Sequence, residues 1–104
     1  MAFVHLHNHT EYSLLDGLTH VKDMVRRAAD LDMPAVAITD HGVMSGVPEL
    51  CDACTAVEKE TGKKVKPIYG CEVYFTTDEE LRKDVKPKLY HLLLLAKTNE
   101  GYHN

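Results

Sequence analysis

The sequence predicts an α/β domain, a parallel sheet or barrel with helices on its outside. Three observations carry this. Short strand-like runs at 3–7, 35–39, 66–76 and 90–96 are separated by helix-like runs at 20–33 and 47–61. That alternation is the pattern of parallel strands joined by crossover helices. Polar, chemistry-bearing residues then cluster where the strand-like runs end, which is where such folds build their active sites.

Each element has a local cause. Residues 3–7 alternate apolar and polar, the period of a strand with one buried face. The stretch to Gly17 is a polar loop. Thr19 is positioned to cap a helix over 20–33, whose Leu18, Val21, Met24, Val25, Ala28 and Leu31 recur at helical spacing. Pro34 ends it, because the residue before proline is pushed out of the helical region. Residues 35–39 (AVAIT) read as a strand buried on both faces.

A loop over 40–46 leads to a second helix over 47–61. Pro48 suits its first turn, Gly62 its end, and Leu50, Cys54 and Val57 form its inner face. Strand 66–76 contains Gly70, a candidate bulge or bend. Residues 77–88 are polar and read as an excursion loop. Strand 90–96 carries four consecutive leucines, and Thr98 or Asn99 caps a further helix.

Composition narrows the function. The chain has 104 residues, at most one domain, with 44% hydrophobic and 27% charged residues, as in ordinary soluble proteins. A net charge of −4 argues against a module that grips nucleic-acid phosphates by its own Lys and Arg. No apolar run reaches the 18 residues of a membrane span, and the N-terminus lacks signal-peptide features. Three cysteines, an odd number, suggest a reducing cytoplasmic location rather than a disulfide framework. Cys51 and Cys54 have the spacing of half a zinc site, but no second pair exists, so packing is expected. Cys71 reads as a small buried residue.

The polar clusters suggest metal chemistry. Alternate His7 and His9 on a strand face one side, and imidazole with carboxylate suits zinc, manganese or iron. His5 shares that face by parity, and is expected either to orient the ligands or to join them. Asp16 before Gly17 is a turn residue or a ligand. After strand 35–39, His41 reads as a ligand, while Asp40 is either a loop hydrogen-bonding residue or a group that orients water or a ligand. Glu72, in an otherwise apolar strand, would be costly to bury unpaired, which favours a metal bridge. His91 is open between ligand and strand-end residue.

These residues resemble a known family. His-x-His near the N-terminus, Thr39-Asp40-His41 after the second strand and Gly70-Cys71-Glu72 in the third are similar to the polymerase and histidinol phosphatase (PHP) superfamily. Phe3-Val4-His5-Leu6-His7-Asn8-His9-Thr10-Glu11-Tyr12-Ser13-Leu14-Leu15-Asp16-Gly17 resembles the opening of bacterial DNA polymerase III alpha subunits. So do the segments 33–42, 66–74 and 90–97 with Gly101-Tyr102.

The resemblance implies a distorted (β/α)7 barrel of parallel strands with outer helices, holding up to three divalent ions, zinc foremost. It implies His7, His9, Asp16, His41, Glu72 and His91 as metal ligands, and raises His91 from an open reading. Asp40 and His41 become the candidates for direct participation in chemistry. The implied reaction is phosphoester hydrolysis, chiefly 3′→5′ exonucleolytic removal of a mispaired DNA end, with pyrophosphate hydrolysis the lesser choice. The alternatives are a stand-alone phosphatase of the histidinol-phosphate type and a non-catalytic module that stabilises or docks a polymerase. Implied partners are DNA, reached through a full-length polymerase, and other replicase subunits. The later histidines, the Asp-x-His motif and the polymerase regions are not in this sequence, so residues 1–104 read as part of a PHP domain. Such a part is expected to be unable to polymerise DNA, and to self-associate through exposed strand edges.

Overall fold

The computed structural model describes residues 2–14, 16–83 and 85–104. Met1, Leu15 and Asp84 lie outside the described residues, and with Leu15 one position of the SLLDG motif. The described residues form four helices and a three-stranded sheet.

Helix α1 (Val21–Asp30) is shorter than predicted at both ends. Thr19 does not cap it: its backbone is held in a parallel bridge with Thr10, so His20 takes the cap position, with no side-chain cap bond. At the other end Asp32 turns left-handed (φ 54°), a conformation Asp tolerates better than most residues. The Asp32 and Met33 N–H groups then bond the carbonyls of Ala29 (3.0 Å) and Ala28 (2.9 Å), closing the helix before Pro34 is reached.

Strand β1 (Ala35–Ile38) is buried throughout. Helix α2 (Val47–Thr61) has the predicted bounds, with proline in its first turn and Gly62 left-handed (φ 72°) at its end. Val21 and Val25 of α1 join Val36 and Ile38 of β1 and Leu50, Cys54 and Val57 of α2 in one core. Burial pushes the Cys54 thiol up to about 11, as suits a packing residue. Cys51 is exposed on the same helix.

Two larger expectations fail. Residues 3–7 form no strand. The segment lies beside β1, with Ala37 N–H bonding His5 O (3.2 Å) and Thr39 N–H bonding Asn8 O (2.9 Å). Two residues on β1 thus span three on the segment, and one extra residue breaks a regular ladder. Asn8 fills the gap with its side-chain amide, which donates to His5 O and Ala37 O.

The second failure is strand direction. Strand β2 (Lys66–Phe75) pairs parallel with β1, from Ala35↔Lys66 to Ile38↔Tyr69, but β3 (Tyr90–Leu95) pairs antiparallel with β2, from Gly70↔Leu95 to Phe75↔Tyr90. A parallel return needs a crossover that covers the sheet, usually a helix. Among its described residues the 77–88 connection holds only α3 (Asp78–Leu81), four residues capped by Thr77 with none buried, so the chain doubles back. The last helix, α4 (Asn99–His103), is capped by Thr98.

The radius of gyration is 15.9 Å, against about 13 Å for a compact domain of this length. The sheet is correspondingly open, and Tyr90, Leu92, Leu94 and Leu95 of β3 remain exposed.

Gly70 shows no bulge; it is a close-approach position. A Cβ there would lie 2.5 Å from Leu94 O and 2.7 Å from a Leu95 methyl. Gly70→Ala should therefore destabilise the chain by about 1–3 kcal/mol, the usual cost of overpacking. Chemical denaturation checks this, and an unchanged midpoint would refute the close packing of β2 on β3.

Candidate metal centre

The end of the parallel β1–β2 pair creates the site. Beyond Ile38↔Tyr69 the same register continues to an isolated bridge between His41 and Glu72. Glu72 N–H bonds Asp40 O (3.0 Å) and Gly42 N–H bonds Glu72 O (3.0 Å). His91 reaches the site from the third strand, diagonal to Glu72 across the β2–β3 ladder, where it pairs with Tyr74. His7, His9 and Asp16 come from the N-terminal segment laid along β1.

Six of the predicted side chains converge. His7 Nε2 is 2.7 Å and His9 Nε2 2.5 Å from the same Glu72 oxygen, Oε2. His9 Nδ1 is 3.0 Å and His41 Nε2 2.8 Å from Asp16 Oδ2. His41 Nε2 also lies 3.7 Å from Glu72 Oε2, and His91 Nδ1 is 3.3 Å from Glu72 Oε1. They form three overlapping groups with the spacing to hold an ion: His7, His9 and Glu72; His9, Asp16 and His41; His41, Glu72 and His91.

The donor chemistry fits a cation. A neutral imidazole has one N–H, yet both nitrogens of His9 face carboxylate oxygens. A cation bound between these groups would satisfy both ring nitrogens and both carboxylates at once. His41 Nδ1 is buried with no hydrogen-bond partner among the described residues, so its ring is held by packing and by its other nitrogen. Burial pushes the Glu72 carboxyl up, but hydrogen bonds from His7 and His9 outweigh it and hold the group below its usual range. The Asp16 carboxyl is also lowered, first by the Ser13 hydroxyl.

His5 and Asp40 stand apart from these groups. The His5 ring packs edge-on against Phe3, centroids 4.7 Å apart. The extra residue between His5 and Asn8 accounts for this, because a one-residue slip reverses which way the following side chains point. Asp40 is buried with both carboxylate oxygens on Thr10: Oδ1 accepts from the backbone N–H (2.5 Å) and Oδ2 from the hydroxyl (2.8 Å). That geometry makes it a brace for the N-terminal loop, the loop-bonding alternative, and turns it away from a direct role. Cys51, Cys54 and Cys71 join none of the three groups.

Sequence reasoning missed Ser13. Its buried hydroxyl donates to Asp16 Oδ1 (2.7 Å) and accepts from His41 N–H (3.1 Å), joining two candidate ligands. The signal was its spacing: three residues before Asp16 in a turn, where short hydroxyls commonly bond. Thr39 was also missed; its hydroxyl accepts from Asn8 N–H (2.9 Å) and so ties the histidine segment to the end of β1.

A family profile for the PHP domain matches residues 5–104. The chain belongs to the PHP domain family. Its relatives include proteins named DNA polymerase III subunit alpha. That of Helicobacter pylori (strain ATCC 700392 / 26695) is 45% identical over 103 residues, covering 99% of this chain and 8% of the relative. That of Treponema pallidum (strain Nichols) is 39% identical over 107 residues, covering 100% and 9%. That of Buchnera aphidicola subsp. Acyrthosiphon pisum (strain APS) is 40% identical over 102 residues, covering 98% and 8%. This PHP domain sequence thus spans less than a tenth of the length of the relatives it matches. No helix among its described residues is long and apolar enough to cross a membrane.

Two predictions separate the ligands from their supports. Ser13→Ala should weaken binding of manganese or zinc by about 10–100-fold, the usual effect of removing a ligand's hydrogen-bond partner. Calorimetric titration checks this, and wild-type affinity would remove Ser13 from the site. Asp40→Ala strands the buried Thr10 N–H and should cost about 1–3 kcal/mol of stability. A denaturant melt measures that loss; no loss would refute the brace.

Proposed function

We propose that this PHP domain holds divalent metal ions and hydrolyses phosphoesters as part of a replicative DNA polymerase. The convergence of four histidines and two carboxylates on one another carries this reading. His7, His9 and Glu72 would hold one ion, Asp16 and His41 with His9 a second, and His91 with His41 and Glu72 a third. When bound, such ions supply Lewis acidity for water activation and offset charge on a phosphoryl group. Zinc is the leading candidate, with manganese and iron also compatible with imidazole and carboxylate donors.

The chain's own groups do the positioning. Glu72, whose N–H and C=O both bond the chain just beyond β1, fixes the centre of the site. Ser13 sets the angle of Asp16 and holds the backbone at His41. Asp40 anchors Thr10 and thereby the turn that presents Asp16. His41, with one nitrogen turned to the cluster, is the side chain best placed to meet both an ion and the reacting group.

The reaction we favour is 3′→5′ exonucleolytic hydrolysis of a mispaired DNA end. Similarity to proteins named DNA polymerase III subunit alpha supports this choice over a stand-alone phosphatase. On this reading residues 1–104 are an incomplete PHP domain, the three-stranded sheet is part of a distorted (β/α)7 barrel, and DNA and other replicase subunits are the partners of the whole protein. Nucleotidyl transfer lies outside this region, and the protein works in the cytoplasm. The exposed β3 edge would be covered by further chain or, in the isolated region, by a second copy.

The test is His7→Ala with His9→Ala in the full-length protein. Loss of metal-dependent 3′ nuclease activity by more than about a hundredfold is expected, since supporting residues alone account for about 10–100-fold. Full metal-dependent activity would sink the proposal. Lower stability with chemistry intact would point to a purely structural site.

A further inference from the structure

Beside the metal candidates, and walled on one side by three of them, lies a cavity of about 520 Å³. Asp16, His41 and His91 form its polar side, and Tyr12, Leu14, Val43 and Tyr74 its apolar walls. The volume falls within the about 300–1,000 Å³ of small-molecule sites, which likewise combine apolar walls with a few polar groups. Tyr12 is already committed, its hydroxyl donating to Glu49 Oε2 at 2.5 Å. Tyr74 is not. It is 59% exposed, although an aromatic ring of this size is normally covered.

Strand geometry explains its position. Tyr74 follows Glu72 by two residues on β2, so both side chains leave the same face of the sheet. Tyr74 also sits directly across from His91. Its ring lies 27° from parallel to His41, with centroids 6.3 Å apart, and 5.3 Å from the His91 ring. A flat, open aromatic surface is thus fixed within one side-chain length of the ion-holding groups. A phosphoryl group at those ligands would carry its attached nucleoside toward this ring.

We propose that Tyr74 is the stacking platform for the unpaired base of the terminal nucleotide, and that the cavity selects base-bearing phosphodiesters. The inference rests on the phosphoesterase reading above and adds the specificity element. Stacking accepts every base, because each presents a π-face, and it requires a base free of its partner. Tyr74 therefore favours frayed or mispaired ends over paired ones without reading sequence.

The experiment uses the full-length protein loaded with manganese, as wild type, Tyr74→Phe, Tyr74→Leu and Tyr74→Ala. Metal content of each variant verifies that the site is intact, and Tyr74→Leu serves if the alanine variant fails to fold. The substrates are a single-stranded oligonucleotide ending in 2-aminopurine and the same strand ending in an abasic residue. Removing the ring should raise KM for the base-bearing end about tenfold, within the usual range for losing one stacked base. It should leave the abasic end unchanged, and phenylalanine should restore the wild-type value. Binding should quench 2-aminopurine fluorescence in wild type and Tyr74→Phe but not in Tyr74→Leu. Equal effects on both substrates, or quenching that survives loss of the ring, would overturn the proposal. If wild type binds metal but cleaves neither substrate, the phosphoesterase reading fails, and the quenching comparison still decides whether Tyr74 stacks a base.

Discussion

A carboxylate with little access to water needs positive charge or hydrogen-bond donors around it, and Glu72 is such a group at the centre of this sheet. The site's arrangement follows from that need. The β1–β2 register carries His41 to its side, β3 doubles back to bring His91 near, and the N-terminal segment lays His7 and His9 against one oxygen. Displacing Glu72 would leave the imidazoles facing one another, with ring centroids already 4.3–5.1 Å apart.

The neighbouring buried carboxylate meets the same need differently. Asp40 takes two neutral donors from Thr10, one backbone and one hydroxyl, and no imidazole. Glu72 takes imidazole nitrogens, which change charge near neutral pH and bind metals. Asp40 follows the end of β1 and Glu72 lies within β2, yet one receives neutral donors from the fold and the other faces imidazoles that could share a cation with it. That difference separates a brace from a centre, and it lies in the partners rather than in the acids.

Much of this was legible in the sequence. Helix α2 kept its predicted bounds because proline and glycine act locally at its two ends. His7, His9, His41 and Glu72 stood out as polar groups beside apolar runs, Asp16 read as a turn residue or a ligand, and His91 joined them only through the family resemblance; all six converge. What failed depends on distant contacts. The alternation of residues 3–7 could not reveal that three of its positions would be matched to two on β1, nor that His5 would consequently leave the cluster. The direction of β3 turned on whether the 77–88 connection covers the sheet, and four unburied helical residues do not. Ser13 and Tyr74 look unremarkable as letters, because each acts through residues that only the fold brings near.

The pairing of Glu72 with His7 and His9 spans 65 and 63 residues. During synthesis at about 5–20 residues per second, the two histidines emerge roughly 3–13 s before their carboxylate partner. His91 follows later still. For that interval the nascent chain carries its two imidazoles without the carboxylate that holds both of them in the finished fold.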